Sequence, residues 1–178
     1  MTTLTDVLLD EAQTTYAVTR RLVRRVTDAD LDWKPATTGT EWMTTGQLLM
    51  HCACFGCGKA ARGFVTGDWG VDLAEYGSGE AGEHTHLPSA SELPSVGSVD
   101  EALRLLEADR ALTLDAIAQA DATDLLAGSL PAPWGGPRLP LFQHILHMIA
   151  HLAQHKGQLF YYLKLMGRDV CTSDLWGA

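Results

Sequence analysis

Apolar residues recur at helical spacing along most of the chain. Leu4, Leu8, Ala12, Val18, Leu22 and Val26 mark a first stripe and predict a helix from about Thr3 to Val26. Thr44-Thr45-Gly46-Gln47 has the form of a capping box, with the threonine accepting from helix amides and the glutamine reaching back. A second helix is expected from there to about Val65, with Gly67 as its stop. Ser98-Val99-Asp100-Glu101 has the same form and opens a third helix that reaches about Ala120. Pro140 suits the first turn of a fourth, which runs to Met166 and stops at Gly167. No alternating strand pattern and no internal repeat competes with this reading.

Two connections separate the helices. The stretch from Asp68 to Gly97 is rich in Gly, Ser, Pro and acidic residues and carries no helical stripe. A connection this long is unusual in one compact domain, and a crossover between two parallel helices explains it. "GSLPAPWGGPRLP" forms the second. The expected fold is therefore all-α: a four-helix bundle, a single domain over residues 1–178, with a long crossover between helices 2 and 3.

Composition narrows the function. The 178 residues are 46% hydrophobic and 20% charged, as in a folded globular protein. A net charge of -9 argues against nucleic acid or an anionic membrane as partner. No apolar run is long enough to span a bilayer, and "MTTLTDVLLDEAQ" lacks a signal-like core, so a cytoplasmic location is expected. Arg20, Arg21, Arg24 and Arg25 complement the dipole at the end of helix 1 rather than forming a phosphate site. An acidic bundle of this size could pair through an exposed helix face as a homodimer.

Candidate chemistry is concentrated in "HILHMIAHLAQHKGQ", which places four histidines in fifteen positions. With His151 at zero on a helical wheel, His144 falls near +20°, His147 near -40° and His155 near +40°. Gln158 and Tyr162 lie in the same stripe, at about -20° and +20°. Buried imidazoles each need a donor and an acceptor, and a metal satisfies several at once. Histidines four apart suit a shared divalent ion, which leaves His147/His151 and His151/His155 both open as pairs. His144 and His155, separated by about 16 Å of helix rise, cannot share one ion. A further ligand must come from another helix, and His51 is the only histidine on helix 2.

The cysteines are weighed separately. Cys52, Cys54 and Cys57 form Cys-x-Cys-x-x-Cys, but on a continuous helix Cys52 and Cys57 diverge by about 140° and cannot converge on one ion. With Cys171 they are expected as reduced, largely buried thiols, Cys54 alone being near enough to His51 for a secondary contact. His84 and His86, in the long connection, are expected in solvent rather than on a metal.

The helix-two histidine after Thr-Thr-Gly-Gln, the leading stretch "DLDWKPATTGTEWMTTGQLLMHCACF" and the closing "HMIAHLAQHKGQLFYYLKLMG" together resemble the DinB/YfiT superfamily of metal-binding four-helix bundles. The likeness spans nearly the whole chain. Its most specific element is "HLAQHKGQ", with Lys156 where the family commonly has arginine. The resemblance implies His51, His151 and His155 as metal ligands, with His147 as a neighbour one turn back. It implies a divalent ion, zinc or nickel foremost, with at least one open position. Three neutral imidazoles without a fourth protein ligand favour catalysis over a closed structural site. Superfamily members include thiol-dependent S-transferases, which implies a small-molecule substrate and a low-molecular-weight thiol. Metal-dependent hydrolysis, or a non-catalytic metal-stabilised binding role in stress, are the alternatives. Gln158, Tyr162, Asp72, Glu75 and Glu80 are candidate polar groups near the open position. Gly157 is expected to serve packing through a close backbone approach.

Overall fold

A computed structural model describes residues 1–35, 41–54, 57–70, 89–120, 122–127 and 129–177. The helices are α1 (Leu4–Val23), α2 (Thr45–Cys54), α3 (Gly58–Thr66), α4 (Val99–Gln119), α5 (Ala122–Ala127), α6 (Leu141–Leu165) and α7 (Thr172–Trp176). A pair of two-residue strands, β1 (Ser129–Leu130) and β2 (Leu139–Pro140), closes the "GSLPAPWGGPRLP" segment as an antiparallel ladder directly before α6. The bundle arms are α1, α2 with α3, α4 and α6. The short α5, the ladder and α7 had no counterpart in the sequence pattern, being too brief to carry a periodic stripe.

Local chemistry sets the helix starts. Thr3 and Asp6 form a reciprocal capping box on α1. On α2, Thr44 Oγ1 accepts from the Gln47 amide at 3.2 Å, and Gln47 Oε1 accepts from the Thr44 amide at 2.8 Å. Gln47 Nε2 then donates to the carbonyls of Ala90 and Leu93, tying the end of the long connection to this helix start. The expected box at Ser98 is only half formed. Ser98 accepts from the Glu101 amide, but the Glu101 carboxylate takes the amide of Gly97. At the far end of α6, Gly167 adopts a φ of 75°, the left-handed stop its position predicts.

Contacts along the helices fix their directions. Asp28 Oδ1 accepts from the Val99 amide while Tyr16 bonds Asp109, so α1 and α4 run antiparallel. Gly46 lies against Ser95, and Gly58 against Asp109, so α2–α3 and α4 run the same way. Tyr162 donates to the Met43 carbonyl while His51 meets His151, so α6 opposes α2. The connection between α3 and α4 is therefore a crossover. Leu8, Leu22, Leu48, Leu49, Ile117, Ile145, Leu152, Leu159 and Leu163 fill the interior with essentially no exposure. Burial of each such side chain contributes about 1.5–3 kcal/mol.

The second helix is not continuous from Thr45 to Val65. Cys57 has φ -137° and ψ -33°, outside the helical region, and the chain starts again at Gly58. The amides of Cys57 and Gly58 donate to the Asp109 carboxylate of α4, at 3.2 and 3.0 Å. A cross-helix carboxylate thus caps α3 and replaces the carbonyl acceptors that an unbroken helix would offer. A Cβ at Gly58 would lie 2.6 Å from both the backbone and side-chain oxygens of Asp109. Gly157, by contrast, faces no described atom within 4 Å. Its expected close approach is not seen among the described residues.

These two glycines should respond oppositely to alanine. Gly58→Ala is expected to cost about 1–3 kcal/mol by overpacking. Gly157→Ala should stabilise by about 0.5–1 kcal/mol through helix propensity. Urea denaturation of both variants checks the pair, and equal effects would contradict the packing described.

Candidate metal centre

The antiparallel packing of α2 on α6 brings His51 against His151 and His155. The last two, four residues apart, lie one turn above each other on α6. His51 Nε2 is 3.4 Å from His151 Nε2, which is 2.9 Å from His155 Nε2. The three rings meet edge to face, with centroids 4.3–5.3 Å apart. All three are partly buried. Leu48 and Leu159, one turn from His51 and His155, belong to the dry core. The cluster therefore sits where the apolar interior meets the α2–α6 surface.

Burial disfavours the charged form of two of the rings. Burial, then the neighbouring imidazoles, depress the His51 pKa to about 4. Burial also lowers that of His155, against a hydrogen bond to Gln158 that raises it. Neutral imidazole is the form that ligates metal. An ion about 2.0–2.1 Å from two nitrogens in tetrahedral geometry separates them by about 3.3 Å. The observed separations bracket that value. Among the described residues this is the one group of His, Cys, Asp or Glu side chains able to hold a metal ion, and it contains no carboxylate or thiol.

The other two α6 histidines have different surroundings. His144 is buried, stacked on Phe64 with centroids 4.1 Å apart, and its Nε2 donates to the Leu130 carbonyl at 2.9 Å. It is a hydrogen-bonded core residue. His147 is exposed and stands outside the cluster. Of the two open pairs, His151/His155 is thus the one that meets His51. A continuous wheel could not separate these roles, because His144 and His147 flank the same stripe at a level where different elements cover the helix.

Cys52 and Cys57 are buried, and burial pushes each thiol up to about 12. Although the helix does break before Gly58, Cys57 is turned toward Tyr16 and Thr113 rather than the histidines. Cys54 is half-buried and does not join the cluster. Tyr162 is committed to the Met43 carbonyl at 3.0 Å. Lys156 lies 5.7 Å from the Trp176 ring, with Glu11 as its electrostatic neighbour, so it faces α1 and α7 and makes no contact in the cluster. Asp72, Glu75, Glu80, His84 and His86 lie outside the described residues. Of the candidate polar groups, Gln158 is the one that meets a ring of the cluster: its Oε1 accepts from His155 Nδ1 at 2.7 Å. The three-residue spacing, one turn on a helix, was the signal for it.

The depressed His51 pKa has a measurable consequence for the metal-free protein. Above about pH 6.5 the ring is neutral whether the chain is folded or not. As pH falls from 6.5 toward 4, the unfolded chain takes the proton first, so folded stability declines across that window. Denaturation at pH 7 and pH 4.5 in the presence of chelator should show a smaller loss for His51→Ala than for the wild type. Parallel losses would mean the ring is not held neutral.

No helix among the described residues is long and apolar enough to cross a membrane. No curated protein matches the chain. The model of one family, the DinB superfamily, matches residues 11–159, a span that includes all three clustered histidines and most of the bundle. With this match over most of its length, and the all-α bundle and histidine cluster just described, the chain belongs to the DinB superfamily.

Proposed function

We propose that the protein binds one divalent ion, zinc or nickel, through His51, His151 and His155, and is a metal-dependent transferase. Its reaction joins the sulfur of a low-molecular-weight thiol to an electrophilic carbon of a small-molecule substrate, the S–H and carbon–leaving-group bonds breaking as the proton and the leaving group depart. The observation that carries this reading is the convergence of three imidazole nitrogens, which no carboxylate or thiol joins among the described residues. When bound, the ion would supply Lewis acidity that lowers the pKa of a thiol or water brought to it. Three uncharged donors leave its positive charge uncompensated at the edge of a low-dielectric core, where an anionic reactant is favoured. His151 and His155 hold the cluster on one rigid helix, and His51 closes it from α2. The buried leucines behind them keep water from approaching through the interior.

Protein purified without chelator should carry about one divalent ion per chain. His51→Ala and His155→Ala should each lose it, whereas His147→Ala and Cys57→Ser should retain it. Stoichiometric metal in His51→Ala would contradict the cross-helix ligand set. In a cobalt-substituted sample, glutathione, bacillithiol or mycothiol should produce a sulfur-to-metal charge-transfer band. A response to carboxylates or esters, but to no thiol, would replace transfer with hydrolysis. Absence of any response would leave a non-catalytic binding role.

A further inference from the structure

The hydrogen bond between His155 and Gln158 determines where protons sit in the cluster. A carbonyl oxygen carries no hydrogen, so the 2.7 Å contact from Gln158 Oε1 requires the proton on His155 Nδ1. A neutral His155 then presents only a lone pair at Nε2. That atom lies 2.9 Å from His151 Nε2, so the proton shared between them belongs to His151. His151 and His155 are therefore in opposite tautomers in the ion-free chain.

This asymmetry bears on the proposed metal site, on which the inference rests. We infer that Gln158 is the positioning residue of the centre: it holds His155 with its Nε2 lone pair ready for an ion. His155 needs no change of tautomer to ligate through Nε2, because Gln158 has already placed its proton on the far side of the ring. Gln158 would touch neither ion nor substrate, and it acts through His155 alone. Hydrogen-bond partners of this kind orient the imidazole and raise its basicity, and their loss typically weakens metal binding about 10–100-fold.

Geometry makes the device specific. Residues 155 and 158 are neighbours on one helix face, so the backbone fixes their separation without help from another element. Gln158 is exposed, and its replacement leaves the bundle core intact. The reverse amide orientation would set an N–H₂ group against Nδ1 and move the His155 proton to Nε2, where it would oppose the ion. The amide oxygen, rather than the side chain as such, is thus the functional atom.

Gln158→Leu and Gln158→Glu separate these effects. In metal-free wild type, imidazole nitrogen NMR above pH 7 should show His155 protonated at Nδ1. The leucine variant should gain Nε2–H population, whereas the glutamate variant, which keeps an acceptor, should not. Competition with a chromophoric chelator for zinc should give about 10–100-fold weaker binding for Gln158→Leu, and binding at least as tight as wild type for Gln158→Glu. Wild-type affinity together with an unchanged His155 tautomer in Gln158→Leu would overturn the inference and leave the metal site standing. Failure of the wild type to bind zinc or nickel would instead remove the metal reading and the positioning role with it.

Discussion

One buried carboxylate ties the bundle together. Asp109, on α4 and 4% exposed, accepts the Tyr16 hydroxyl of α1 at 2.5 Å and the first amides of α3 at 3.2 and 3.0 Å. A carboxylate removed from water is costly unless each lone pair finds a donor. Burial pushes its pKa up while those donors pull it down, and burial prevails. The requirement for donors constrains three arms at once. The carboxylate caps the helix that starts at Gly58 and excludes any side chain there.

The histidine cluster follows a different rule. Around Asp109, acceptors meet donors and the polar account closes within the protein. In the α2–α6 cluster, nitrogens of the same kind meet one another, and burial lowers the pKa of His51 and His155. In the ion-free chain a ring proton satisfies the His151–His155 contact, and an ion would take that proton's place among the nitrogens. Leu48, Leu152 and Leu159, on the same two helices, belong to the buried core that packs α2 on α6. Stability of the fold and readiness of the site are in this sense supplied by the same side chains.

Much of this was legible in the sequence, and the exceptions have physical causes. The long stripes gave α1, α4 and α6 within a few residues, because periodicity accumulates over many turns. The box at Thr44 was readable because both partners are local. The break before Gly58 was not, since the carboxylate that caps the restart is about fifty positions away. Helical spacing put four histidines on one face, but could not tell the core residue His144 from exposed His147, because Phe64 and Leu130, which meet His144, lie elsewhere in the sequence. The resemblance to a known family singled out His51, His151 and His155, and the packing of α2 on α6 brings those three together. The proton order within the cluster was hidden, for it depends on which atom of Gln158 faces His155.

The central claim is that these three imidazoles, and no sulfur, hold a divalent ion. X-ray absorption at the metal edge of zinc- or nickel-loaded protein tests it most directly. The account predicts three nitrogen scatterers at about 2.0–2.2 Å with the outer-shell pattern of imidazole, completed by a light solvent atom. A sulfur shell near about 2.3 Å in thiol-free protein, or an oxygen-only shell without imidazole scattering, would contradict it.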